Sequence, residues 1–180
     1  SASTSRARVL TAAGIRFDVV TSSVDEDAEL AAAERVEGTF SPQKTSEFLA
    51  ATKAAAVTSD PAASNALVLG CDSVFELDGK SYGKPFVAEV AVERWKLMRG
   101  KTGVLHTGHT LIDNRFDSPT RGKTVSESSS SRVTFANPTD DQIERYVATG
   151  EPLGCAGGFT VDGQAAAFVA HLEGDHNAVI

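Results

Sequence analysis

Asn65-Ala-Leu-Val-Leu-Gly-Cys-Asp72-Ser73-Val-Phe-Glu-Leu-Asp78-Gly79-Lys-Ser-Tyr-Gly-Lys84-Pro85 decides how the rest of the chain is read. The apolar run Ala66 to Leu69 reads as a buried strand that passes Gly70 and Cys71 and ends on an acid, Asp72. Asp78-Gly79 is a type I′ turn signal, after which the chain returns through Tyr82 to Gly83-Lys84-Pro85. Strand residues advance about 3.3 Å each, so such a hairpin sets Asp72 and Lys84 at the same end of a sheet. A carboxylate and an ammonium on rigid backbone suit chemistry on a metal-bound phosphate. An ordinary hairpin with solvated charges at its mouth has the same signature.

Working outward, the first helix is expected over Arg6 to Ala13, with Gly14 ending it and Ile15 to Val20 alternating as a strand. Val24-Asp25-Glu26 falls in a loop before an acidic, Ala-rich helix from Asp27 to Arg35. A further helix covers Ser46 to Val57 and closes at Asp60-Pro61. After the hairpin, Val92, Trp95 and Met98 give Ala88 to Met98 one apolar face, and Gly103 to Ile112 is β-rich. The Ser-, Thr- and Gly-rich stretch 114–131 reads as a loop or irregular edge, and Arg132 to Phe135 as a short strand. Thr139 and Gln142 form a capping-box pattern for a helix to Ala148. Gly157 to Gly163 and Ala166 to Leu172 read as a closing strand pair. Interleaved strands and helices with hairpins predict an α/β fold with a mixed sheet.

The 180 residues fit one domain over 1–180, with 41% hydrophobic and 23% charged residues. Both ends read as trimmed: the chain lacks an initiator Met, opens in mid-motif and stops at Ile180 on an apolar run. No stretch is long and apolar enough for a membrane span, and no signal sequence opens the chain, so a cytoplasmic location is the expectation. A net charge of −7 argues against a nucleic-acid binder but not against a small polyanion held with a divalent cation. Cys71 and Cys155 read as small buried side chains rather than a zinc site or disulfide. His106, His109, His171 and His176 lack ligand spacing, since i, i+3 on a strand points to opposite faces.

Three clusters carry candidate chemistry. Ser1-Ala-Ser3-Thr4-Ser5-Arg6 sets hydroxyls and a guanidinium at a helix N-terminus, which favours an anion and equally fits a plain cap. Asp25-Glu26 with Asp72 offers hard oxygen ligands for Mg²⁺ or Mn²⁺. Lys53 and Lys84 are candidate phosphate contacts.

Taken in order, these clusters resemble the Maf family of nucleoside triphosphate pyrophosphatases. Its opening Leu-Ala-Ser-x-Ser-Pro-Arg-Arg is echoed by Ser1 to Arg6, with Gly14-Ile15 and Phe17 correctly spaced behind. Val24-Asp25-Glu26, Lys53-Ala54, Gly70-Cys71-Asp72-Ser73-Val74 and Gly83-Lys84-Pro85 follow. Tyr146, Thr149-Gly150-Glu151-Pro152, Ala156-Gly157-Gly158-Phe159 and Gly174 to Ile180 complete a match over nearly the whole chain. Each motif is weak alone; six or more in order are specific.

The resemblance implies an elongated sheet lining a central cleft and hydrolysis of nucleoside triphosphates to monophosphate and pyrophosphate, with modified nucleotides among the substrates. It implies Asp72 as proton acceptor, Glu26 and Asp72 as metal ligands for Mg²⁺ or Mn²⁺, and Ser3, Arg6, Lys53 and Lys84 on phosphates. It also implies a homodimer. Ser5 in place of an Arg, Ser73 in place of Thr and Asp162 in place of Gln fall at positions tied to base specificity, which stays open. Thr4 for Pro, Cys155 for Lys and Gly103 for His are further departures. A non-catalytic, nucleotide-sensing regulator of cell division is the alternative. Inosine or xanthosine triphosphatase activity is a weaker third, with a different Gly-rich opening.

Overall fold

A computed structural model describes residues 3–180. Ser1 and Ala2, part of the expected anion-binding string, lie outside the described residues. The helices are α1 (Thr4–Ala12), α2 (Glu26–Glu37), α3 (Pro42–Val57), α4 (Ala88–Met98), α5 (Asp140–Ala148) and the short α6 (His176–Val179). The strands are β1 (Leu67–Leu77), β2 (Lys80–Tyr82), β3 (Thr102–Asp113), β4 (Thr124–Phe135) and β5 (Val169–Glu173). They form one five-stranded sheet in the order β2-β1-β3-β4-β5. The α/β class is as expected, but the sheet is antiparallel rather than mixed. Alternation of helices and strands along a chain does not distinguish a crossover from a return, and here α4 brings the chain back antiparallel to β1.

The chain divides into two compact units, one built from the residues up to Asp72 with Thr107–Ser128, the other from Ser73–His106 with Ser129–Ile180. In the first unit α3 lies on the sheet through two glycines. A Cβ on Gly70 would stand 2.2 Å from the Ala50 carbonyl oxygen, and one on Gly108 2.4 Å from that of Ser46. The helix backbone therefore rests directly on the strands. Ala54, Ala63 and Val68 form the small core beneath it. Ser41 caps α3, accepting from the Lys44 amide at 3.2 Å with Pro42 in the first turn, so the helix begins earlier than the expected Ser46.

The second unit holds the larger core. Trp95 on α4 packs edge-on against Phe135, Tyr146 and Phe168, with centroids 5.4, 5.3 and 5.6 Å away. Its indole N–H donates to the Gly158 carbonyl at 2.8 Å. Ala91, Trp95 and Met98 are the buried face of α4, while the Val92 of the expected stripe is only partly buried. The capping box of α5 is formed in both directions, Gln142 N–H to Thr139 Oγ1 and Thr139 N–H to Gln142 Oε1. The β1–β2 hairpin pairs Phe75 with Tyr82 and Leu77 with Lys80, and Asp78 and Gly79 take the positive φ of the expected turn.

Four further sequence expectations are corrected. β1 does not end at Asp72 but runs on to Leu77, and Leu67 and Leu69 are 49% and 42% exposed, so its apolar start is only half-buried. Residues 15–20 form no strand among the described residues; Ile15, Phe17 and Val19 are at least a third exposed. Alternation suits a strand but does not supply a neighbouring ladder. The polar stretch is a turn followed by the twelve-residue β4, because cross-strand hydroxyl bonds such as Thr110 to Ser126 at 3.0 Å favour pairing despite weak intrinsic propensity. Finally, residues 157–163 form tight turns with positive φ at Gly157 and Gly158 rather than a strand, leaving β5 to begin at Val169.

The turn before β4 is organised by one acid. Asp113 accepts from Arg115 Nη2 at 2.9 Å and from the hydroxyls of Ser118 and Thr120 at 2.6 Å each. These bonds, the Arg115 guanidinium foremost, hold its carboxyl well below the usual carboxylate range. A depressed folded-state pKa contributes stability that is complete above the unfolded value, about 3.9, and is lost as pH falls toward the folded one. Asp113→Asn is therefore expected to lower the melting temperature at neutral pH, with the gap to the parent narrowing below about pH 4. Thermal melts across that range check it.

Candidate functional site

In the first unit, four elements bring four sequence-separated charged groups together. Asp25 caps α2, its carboxylate accepting from the Ala28 amide at 3.1 Å. That uses Asp25 locally, whereas the carboxylate of Glu26, the first helical residue, takes no part in the cap. Lys53, on the face of α3 that meets the sheet, places its ammonium 2.8 Å from Glu26 Oε2 and 2.6 Å from Asp72 Oδ1. Arg6, in the first turn of α1, donates from Nη1 to the carbonyl of Cys71 at 2.9 Å, which fixes the strand one residue before Asp72.

Burial differs between the two acids. The Asp72 side chain is 13% exposed and that of Glu26 47%. Removal from water pushes the Asp72 carboxyl up, the Lys53 ammonium pulls it back, and the like charge of Glu26 adds to the rise. The neighbouring Cys71 thiol is likewise pushed up by burial. Two carboxylate oxygens on one ammonium form a cradle for a cation, made of hard oxygen donors. Among the described residues no third acid, His or Cys joins them to make a closed metal cage. Such a pair suits Mg²⁺ or Mn²⁺, which keep waters and take further oxygens from phosphate.

Ser3 caps α1, its hydroxyl accepting from the Arg6 amide at 3.3 Å. Ser5 accepts from Arg8 Nη2 at 3.2 Å. Of the expected site residues in this unit, the structure thus converges Arg6, Glu26, Lys53 and Asp72 and gives Ser3 a capping bond.

Ser73, Lys84 and Asp162 belong to the second unit. β2 ends at Tyr82, so the exposed Lys84 lies beyond the strand, in the segment leading to α4. The Thr160 hydroxyl donates to Asp162 Oδ1. Cys155 is half-buried, and its thiol is pushed up by burial and by the charges of Glu151 and Asp162, with Lys84 opposing. Both cysteines are free thiols. The Glu151 carboxylate accepts the amides of Gln164 at 2.9 Å and Ala165 at 3.2 Å, tying the turns that carry Asp162. Glu151 has a structural signal in sequence, as part of Thr149-Gly150-Glu151-Pro152, but not one that names its amide partners.

A further constellation escaped the sequence reading. His106 Nε2 lies 2.9 Å from Glu76 Oε2 and Nδ1 2.8 Å from Ser130 Oγ, a row across β1, β3 and β4. Placing Ser130 in a loop concealed it; the register of β4 brings the hydroxyl to the histidine.

Comparison with known proteins places these observations in a family. The family model described as Maf-like protein matches residues 1–180. A relative from Streptomyces coelicolor is 44% identical over 180 residues, covering all of this chain and 81% of its own length. Others from Leifsonia xyli and Trichormus variabilis are 45% and 43% identical, spanning 99% and 100% of this chain and 84% of theirs. All three carry the name nucleoside triphosphate pyrophosphatase. No helix among the described residues is long and apolar enough to cross a membrane.

Proposed function

The chain belongs to the Maf-like protein family, and we propose on that premise that it hydrolyses nucleoside triphosphates to monophosphate and pyrophosphate. The observation that carries this reading is the Glu26–Lys53–Asp72 arrangement, with Arg6 anchored on the Cys71 carbonyl. Splitting a phosphoanhydride with water requires positioning and charge neutralisation more than a strong nucleophile. Asp72 supplies the acceptor for the proton of the attacking water, and burial beside a like charge makes it more basic than an exposed aspartate. Glu26 and Asp72 would hold Mg²⁺ or Mn²⁺, which when bound neutralises phosphate charge and polarises the phosphate oxygens. Lys53 and Arg6 provide fixed positive charge for the polyphosphate, the ammonium as a point charge and the guanidinium as a planar donor.

On family resemblance, Ser3 and Lys84 are further phosphate contacts, and Ser5, Ser73 and Asp162 are the specificity residues. An acid at 162 can accept from a guanine N1–H and amino group, whereas Gln can use both amide groups on a uracil or thymine edge. The names of the relatives favour this enzymatic reading over the regulator of cell division.

The test is a panel of canonical and modified nucleoside triphosphates with Mg²⁺ or Mn²⁺, assayed for pyrophosphate and nucleoside monophosphate together. Stoichiometric release of the two supports the proposal, and Asp162→Gln is expected to change the ranking of the bases. Nucleotide binding without pyrophosphate would restore the regulator reading.

A further inference from the structure

Lys53 occupies the place a metal would need. Its ammonium contacts Glu26 Oε2 at 2.8 Å and Asp72 Oδ1 at 2.6 Å. Both oxygens face one position, so an ion placed there would meet two hard donors, with waters completing its shell. We propose that Lys53 is an exchangeable internal cation: it neutralises the Glu26–Asp72 pair in the metal-free protein, yields that position to a divalent ion, and is thereby released toward phosphate. This inference rests on the reading of Glu26 and Asp72 as the metal pair, and concerns how that pair is kept before metal arrives.

Three features support exchange over a permanent ion pair. The pair is asymmetric, with Asp72 nearly out of water and Glu26 about half-exposed, so one side opens to incoming ions. Two acids left together beside that buried oxygen would repel, and a resident positive charge relieves that repulsion while metal is absent. Lysine is also the right group to leave, because its ammonium is a compact charge on a flexible stem, without the two-point grip of a guanidinium. Its backbone stays fixed by the α3 contact at Gly70, so departure is a side-chain movement alone.

Competition lowers apparent metal affinity by the fraction of time the site is occupied by lysine. If Lys53 bridges the acids about nine-tenths of the time, its removal raises Mn²⁺ affinity about tenfold. The experiment titrates Mn²⁺ alone into the parent, Lys53→Met and Glu26→Gln proteins, following free Mn²⁺ by electron paramagnetic resonance. In parallel, amine-directed labelling of the parent, read by mass spectrometry, reports the reactivity of Lys53 with and without Mg²⁺. Tighter binding by Lys53→Met, with Mg²⁺-dependent exposure of Lys53 in the parent, is the expected result. Tighter binding with Lys53 labelling unmoved by Mg²⁺ would mean that charge removal alone acts, and overturns exchange. Equal or weaker binding by Lys53→Met, while Glu26→Gln loses Mn²⁺, overturns exchange but leaves the metal pair standing. Mn²⁺ binding unaffected by Glu26→Gln overturns the metal pair and exchange together, and Mn²⁺ binding absent from every protein overturns exchange.

Discussion

Asp72→Asn is expected to reduce pyrophosphate release by about a thousandfold or more while leaving the melting temperature within a few degrees of the parent. Loss of a positioned general base costs about a hundred- to ten-thousandfold, and here the same side chain also serves the proposed metal. The small change in stability follows from the balance at the site. Burial is the largest influence on the Asp72 carboxyl, so a neutral side chain of the same shape escapes the greatest cost of lying there. Lys53 keeps its 2.8 Å contact with Glu26, so no buried charge is stranded. Pyrophosphate release at saturating nucleotide, set beside a thermal melt, checks both halves. Full turnover in the variant would remove Asp72 from the chemistry.

Gly70→Val should damage stability and activity together. The first added carbon alone would meet the Ala50 carbonyl oxygen at 2.2 Å, the Ala54 Cβ at 2.7 Å and the Ala54 amide nitrogen at 2.9 Å. Two of those atoms are helix backbone and cannot rotate away, so α3 must lift from the sheet. Overpacking of this kind costs about 1–3 kcal/mol, occasionally more, and each kcal/mol lowers the melting temperature of a chain this size by about 2–4 °C. The consequence for chemistry is larger than that for stability, because Lys53 sits on the same turn of helix as Ala54. A misplacement of about 1 Å at a reacting centre costs about a hundredfold in rate. Melting curves and turnover measured well below the melting temperature separate the two effects. Unchanged turnover would show that the α3 contact does not set the position of Lys53.

Local signals in the sequence were legible where a backbone rule is tied to particular residues. The Asp78-Gly79 turn, the Thr139–Gln142 capping box and the Trp95 face of α4 each depend on neighbours within a few positions. Residues 15–20 and 157–163 failed as strands for the complementary reason: a strand exists only through its neighbour, and alternation or glycine content does not say whether a neighbour is present. The Ser-rich run failed in the opposite sense. Its composition resembles a loop, yet Thr110, His106 and Glu47 give its hydroxyls partners once β3 and α3 are in place.

By itself, the order of short motifs from Ser3 to Asn177 determined which family this chain joins and which charged residues merit testing, because side-chain chemistry and spacing survive in one dimension. Tertiary structure alone decided that Asp25 is used in capping while Glu26 is not, and that Lys53, nineteen positions from Asp72, holds both acids at once. Convergence of that kind depends on how closely a helix can approach a sheet. Here the approach is set by the hydrogen atoms of Gly70 and Gly108, standing where any other residue would place a carbon.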